Sequence, residues 1–344
     1  MRRLPVYLLI DTSESMVGTA IESVQGGIGT LMTALRKNPY ALEMGAISII
    51  TFDRTAKKAV PLTDIFSFQR PNLEVAPGTA LGGGIRLLDQ SLSTELVKTT
   101  PDQKGDYKPL VFILTDGQPT DEWKSAVDQF KRNHKSAMVY AIGCGDDIDF
   151  SVLRAITDNT FSMAQMDADA FAKLFVCISS SVQSASASIG AAGVQEGAQD
   201  LVKWADDALE KVEHVKKPAT NQKRQVFIPA MCQTHKKPYL LRFKLNDSGK
   251  YFCTAAHKLD RPFSKEESGL IESVAADQLE GMKDCPYCGN GILGKCDCGT
   301  LFCVDRKKAE QFRGMVVVRG KCPSCGAECI MSFGGNFDIN QSAG

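Results

Sequence analysis

The sequence has no long apolar run. The run nearest its start, Val6 to Ile10, is stopped by Asp11, too soon for a secretory signal or a membrane span. No other run approaches spanning length, so no membrane association is expected and the chain reads as cytoplasmic. Histidine is scarce, with 4 residues in 344. None stands in a His-Glu-x-x-His or His-x-Glu pattern, which argues against a catalytic zinc. No Gly-Lys-Ser/Thr closes a glycine-rich loop, so a phosphate-binding loop of that type is excluded. The chain has no net charge, and it shows no internal repeat beyond two short cysteine motifs.

The zero balance hides an asymmetry. Lys211 to Lys265 holds 13 Lys and Arg against three acidic residues, Glu213, Asp247 and Asp260. The rest of the chain is correspondingly acidic, which points to an acidic partner or to the two halves meeting each other. Within the basic segment, Tyr239, Phe243, Tyr251 and Phe252 are interleaved with lysines. That pattern fits a nucleic-acid surface on which bases stack, and equally the core of a hairpin.

Residues 1–182 alternate two kinds of segment. Val6–Ile10, Ala46–Phe52, Leu110–Leu114 and Ala137–Ile142 are nearly continuous apolar runs, as in strands covered on both faces, and Lys58–Leu62 is a weaker candidate. Between them, Thr19–Leu35, Leu81–Leu96 and Asp121–Asn133 carry apolar residues at helical spacing. Phe171, Leu174, Phe175, Ile178 and Val182 form one more helical stripe. The alternation predicts an α/β fold with a doubly wound, Rossmann-like, mainly parallel sheet. Residues 183–225 read as a linker containing a helix, on which Leu201, Trp204, Ala205, Ala208, Leu209 and Val212 share a face. Residues 226–344 read as a second, small zinc-ribbon-like α+β domain. It opens with a hairpin around Asn246 to Gly249 and continues with a helix from a Ser264 cap to about Leu279.

The first domain carries a set of oxygen ligands. Asp11-Thr-Ser13-Glu-Ser15 closes the first strand, Thr79 lies in a glycine-rich loop, and Asp116 follows the strand at Leu110–Leu114. In a doubly wound sheet, ligands collect at the carboxyl ends of strands, where strand order reverses. Two carboxylates and three hydroxyls suit magnesium or another hard divalent cation. The neutral hydroxyls leave the ion enough charge to accept a carboxylate from another protein. The ordering Asp-x-Ser-x-Ser, then Thr, then Asp in Thr-Asp-Gly resembles the metal-ion-dependent adhesion site of the von Willebrand factor A domain. The resemblance spans roughly residues 4–182. It implies a docking partner presenting Asp or Glu to the metal.

Twelve cysteines need explaining in a cytoplasmic protein, where structural disulfides are uncommon. Eight of them follow residue 284. Cys285-Pro-Tyr-Cys288-Gly and Cys322-Pro-Ser-Cys325-Gly are knuckles that offer four thiolates to a structural zinc. Cys296, Cys298 and Cys303, with Cys232 or His235, are candidates for a second zinc, or for an exchange of partners with the knuckles. Together with Asp-Thr-Ser and Ile47-Ser-Ile-Ile-Thr-Phe52, this cysteine-rich end is similar to the TerY group of bacterial tellurite-resistance proteins. That likeness implies a stress-response setting beside a kinase or a phosphatase. With no general base accompanying the metal set, the expected function is a non-enzymatic, metal-dependent protein–protein adaptor. The alternative is a nucleic-acid module acting through the basic zinc domain.

Overall fold

The computed structural model describes residues 2–145, 148–192, 209–212, 225–246, 248–264, 274–312, 315–332 and 338–339. The chain divides into two compact units, Met1–Ala219 and Thr220–Gly344.

The first unit is built on β1 (Leu4–Asp11), α1 (Thr19–Lys37), α2 (Pro39–Met44), β2 (Gly45–Phe52), β3 (Ala56–Asp64), α3 (Leu81–Glu95), β4 (Leu110–Thr115), α4 (Lys124–Asn133), β5 (Met138–Cys144), α5 (Phe150–Ile156), β6 (Thr160–Met163), α6 (Ala168–Ala192) and β7 (Glu210–Lys211). These strands form one sheet in the order β3-β2-β1-β4-β5-β6-β7. The β1–β2, β1–β4, β4–β5 and β5–β6 pairings are parallel. The two edges, β3 and β7, are antiparallel. The chain winds outward from β1 in one direction and resumes from β4 in the other, so strand order reverses between β1 and β4.

Every residue of β1, β2 and β4 is buried, because helices cover both faces. Alternate residues serve opposite layers. Leu8, Ile10, Phe112 and Leu114 pack in the core that holds Ile28 of α1 and Phe175 of α6. Tyr7, Leu9, Val111 and Ile113 pack with Leu88 of α3 and Phe130 of α4. The predicted stripe from Phe171 to Val182 is buried throughout. Its helix approaches α1 so closely that a Cβ on Gly27 would lie 2.0 Å from the Phe175 ring. The short elements α2, α5, β6 and β7 were not expected.

Part of the expected linker belongs to this first unit. Residues 183–192 continue α6, with Ala185 and Ile189 in the core. Leu209 is buried in the same core, and β7 pairs with β6. The correction has a simple cause: the small residues that look like a linker pack as a helix face once the sheet supplies a surface. The predicted helix positions Leu201, Trp204, Ala205 and Ala208 lie outside the described residues. No described helix is long and apolar enough to cross a membrane.

The second unit is rich in strands. A sheet in the order β12-β10-β9-β8-β14-β13 contains β8 (Gln225–Met231), β9 (Pro238–Leu245), β10 (Tyr251–Lys258), β12 (Leu279–Glu280), β13 (Ile292–Lys295) and β14 (Leu301–Val304). A smaller sheet joins β15 (Ala309–Phe312), β16 (Met315–Lys321) and β17 (Glu328–Ser332), and β11 (Val274–Ala275) pairs with β18 (Asp338–Ile339). The expected hairpin is present as β9 and β10, its turn fixed by Asn246 Oδ1, which accepts from the amides of Ser248 and Lys250. The helix expected up to Leu279 is corrected: residues 274–280 are two short strands flanking a 3-10 turn. The remainder of that expected helix, residues 265–273, lies outside the described residues. Over residues 274–280 the helical pattern gives way to the pairing of β11 and β12 with distant strands.

Candidate functional site

The register of the first sheet builds a polar corner. Ile10 of β1 lies opposite Leu114 of β4, so Asp11 leaves the sheet beside Thr115 and Asp116, at the point where strand order reverses. The Thr115 hydroxyl donates to Asp11 Oδ2 at 2.5 Å. Asp11 Oδ1 accepts the Ser13 amide at 2.8 Å, which turns the chain sharply out of β1. The hydroxyls of Ser13 and Ser15 are 2.8 Å apart, and the Ser15 hydroxyl donates to Asp116 Oδ1 at 2.6 Å. Asp11, Ser13, Ser15 and Asp116 are thus linked in one hydrogen-bonded chain.

Thr79 reaches the same corner. A Cβ on Gly117 would lie 3.0 Å from Thr79 Oγ1 and 3.7 Å from Asp11 Oδ2, so the Thr79 hydroxyl and the Asp11 carboxylate converge on the Gly117 backbone. The Thr79 backbone is clamped by Thr120, whose hydroxyl accepts the Thr79 amide at 3.0 Å and whose amide donates to the Thr79 carbonyl at 2.9 Å. The structure therefore gathers all five predicted oxygen ligands.

Sequence reasoning missed two supporting residues, Thr115 and Asp121, and left the role of Glu14 open. Thr115 orients Asp11. Asp121 accepts the amides of Gly82 and Gly83 at 2.9 and 2.8 Å, capping α3 directly behind Thr79. Glu14, unexplained by the motif, accepts the Gly78 amide at 2.7 Å. Gly78 has a φ of +97°, a conformation that glycine adopts without strain. Glu14 thereby ties the first ligand loop to the second. Replacing it with alanine is expected to lower divalent-cation affinity about tenfold, in line with the loss of partners that orient ligands, with the melting curve of the metal-free protein unchanged. Calorimetric titration with magnesium or manganese measures this, and an unaltered affinity would remove Glu14 from the site.

The electrostatics favour a cation. Asp11 is fully buried, and burial pushes its carboxyl up to about 6, against the pull of its Ser13 and Thr115 hydrogen bonds. Behind it, the Cys144 thiol is pushed well above its ordinary range by burial and then by the charges of Asp116 and Asp11. A buried carboxylate that resists ionisation, in a corner whose donors are all oxygen, fits a hard divalent ion that would neutralise it. His134 is no ligand: its Nε2 lies 2.8 Å from Asp89 Oδ1.

The cysteines of the second unit form two groups. Cys232, Cys285, Cys288 and Cys303 lie within 4.8 Å of one another, as do Cys296, Cys298, Cys322 and Cys325. This corrects the expectation that Cys285, Cys288, Cys322 and Cys325 share one ion. The cause is a parallel register: Phe302 of β14 pairs with Met231 of β8, which sets the following residues, Cys303 and Cys232, side by side. His235 lies next to the first group, its Nδ1 3.4 Å from Cys232 Sγ.

Four turns of one design carry these ligands. Each has a cysteine carbonyl accepting an amide three or four residues on, namely Lys236, Gly289, Gly299 and Gly326. Each accepting turn places that residue at positive φ. Three thiol pairs, Cys288–Cys303, Cys296–Cys325 and Cys298–Cys322, are separated by 3.4, 3.5 and 3.7 Å. A zinc tetrahedron with bonds of about 2.3 Å sets sulfurs about 3.8 Å apart, so both groups fit zinc. Of the four interleaved aromatics, Tyr239, Phe243 and Tyr251 are buried in the core and Phe252 is exposed, which leaves little for bases to stack on.

No curated protein matches the chain. Among solved structures it is similar to a von Willebrand factor type A protein from Catenulispora acidiphila, with 17% identity over 53% of this chain and 43% of that one and a TM-score of 0.42. It is also similar to proximal thread matrix protein 1 from the mussel byssus (16%, 52% and 47%, TM-score 0.40). A third is BatB from Bacteroides thetaiotaomicron (18%, 54% and 98%, TM-score 0.38). The chain spans less than half the length of the first two. Residues 6–175 match the family model of the von Willebrand factor type A domain, and this part of the chain is a domain of that family.

Proposed function

We propose that the protein is a non-enzymatic adaptor that binds a partner protein through a divalent cation, magnesium by the chemistry of its donors. Asp11, Ser13, Ser15, Thr79 and Asp116 would hold the ion, and the partner would complete its coordination with an Asp or Glu. The observation that carries this reading is the convergence of three separate loops on one buried carboxylate, with the Ser15 hydroxyl joining Ser13 to Asp116. A docking role suits the corner better than catalysis. His134, the histidine described within residues 2–212, is engaged by Asp89, and the Glu14 and Asp121 carboxylates beside the donors are engaged by backbone amides, which leaves neither placed as an evident general base.

The cysteine groups would hold two structural zinc ions, giving the adaptor a second rigid surface. The setting we infer is a bacterial tellurite-resistance or stress-response system, in the cytoplasm, with a kinase or phosphatase as the partner class. This follows from the likeness of the motif set to TerY proteins. The test is capture of proteins encoded beside it, by wild type and by Asp11→Ala, with magnesium or with chelator. Capture is expected to require both Asp11 and the metal. Partners retained equally by all four samples would overturn metal-mediated docking.

A further inference from the structure

The two cysteine groups differ in their surroundings. In the first, Cys232, Cys285 and Cys303 are buried, and the additional donor is His235, whose imidazole cannot form a disulfide. In the second, Cys298 and Cys325 are exposed, and the additional donor is a thiol, Cys329 of β17.

Strand geometry sets Cys329 beside a ligand. A Cβ on Gly294 of β13 would lie 1.8 Å from the Met331 sulfur of β17, so these two residues face each other directly. Side chains alternate along a strand, so residues two apart share a face. Two positions on from Gly294 is Cys296, and two positions back from Met331 is Cys329. The Cys329 side chain packs against the apolar cluster that contains Cys296 and Cys322, and its thiol donates to the Ala327 carbonyl at 3.7 Å. It is half-buried, within reach of a small solute. Across the strand pair, its partner is Gly320 of β16.

We propose that Cys329 is an oxidation site: with hydrogen peroxide as the oxidant, it forms a disulfide with Cys296 and thereby expels zinc from the second group. This rests on the zinc reading given above. One sulfur takes an oxygen from the peroxide as a sulfenic acid, and the other displaces that oxygen as water. The two sulfurs give up two electrons and the peroxide becomes two waters. Cys329 supplies its proton, and one proton from solvent balances the thiolate that Cys296 presents to zinc. The ion is left with three ligands, two of them on exposed residues, and dissociates.

The experiment uses the full chain loaded with zinc, treated with hydrogen peroxide beside a chromogenic zinc chelator, then alkylated and mapped by peptide mass spectrometry. One of two zinc ions is expected to be released, together with a Cys296–Cys329 linked peptide. Cys329→Ser should keep both ions at the start and release the first about tenfold more slowly. Release from Cys329→Ser at the wild-type rate would overturn the proposal, as would linked peptides that omit Cys329. Zinc content before oxidation reads the metal assignment separately. A chain holding fewer than two ions fails that assignment, and the linkage map of the same sample still decides the role of Cys329.

Discussion

Cys303→Ser is expected to unfold the second unit while leaving the first intact. Cys303 is fully buried at the junction of β14 and β8, in the same core as Val226, Leu241 and Phe243. A structural zinc contributes on the order of 10 kcal/mol to folding, comparable with the whole stability of a typical small domain. Serine removes one of four ligands and leaves a hydroxyl buried without a metal. Hydrogen exchange should show the amides of residues 225–259 losing protection, both zinc ions should be lost, and the amides of β1 and β4 should stay protected. Retained protection throughout residues 225–259 in Cys303→Ser would show that the apolar core folds without its metal.

The second large effect runs in two directions. Asp11→Asn is expected to stabilise the metal-free protein at pH 7 by roughly 2–3 kcal/mol, since a shift of one unit corresponds to about 1.4 kcal/mol. Burial raises the Asp11 carboxyl from 3.8 to about 6. A group whose folded pKa is raised adds stability below its unfolded pKa and loses it as pH rises through the folded value. The metal-free wild type should therefore lose stability between about pH 4 and pH 6, and the asparagine variant should lack that slope. With saturating magnesium the order reverses, because the wild type gains binding free energy that the variant cannot. Thermal melts in chelator and in magnesium at pH 4 and pH 7 measure all of this. An asparagine variant no more stable than wild type in chelator at pH 7 would mean that the carboxylate is already compensated by its hydrogen bonds.

These two effects mark what the sequence makes legible. The polar corner of Asp11, Ser13, Ser15, Thr79 and Asp116 is readable because each residue follows a continuous apolar run or sits in a glycine-rich loop, and strand ends in such a sheet converge by topology. Glu14 is illegible because its partner, Gly78, is 64 positions away and offers only a backbone amide. Zinc pairing is illegible for a related reason. Each knuckle is local, but which knuckles share an ion depends on Met231 lying beside Phe302, a contact with no mark in either motif. The short elements α2, α5 and β6 carry too few residues for a periodicity to show, and their positions are set by packing on a sheet that already exists. Serine- and alanine-rich residues 183–192 look like a linker for want of bulk, although a helix packed closely on a sheet uses small residues well.

The outer strand β3 has a consequence beyond the site. Both rims of the first sheet end in antiparallel strands, and β7 is only two residues long. The long rim is the hazardous one, since a bare strand edge recruits further chains. Along β3, Pro61 removes one amide from the ladder, Lys57 and Lys58 place charge on the border, and two register shifts against β2 bend it out of line. A protein assembled around a sticky, two-faced apolar sheet thus resists polymerising through its own flank. On the proposed function, contacts with a partner fall to the corner of Asp11, Thr79 and Asp116 instead.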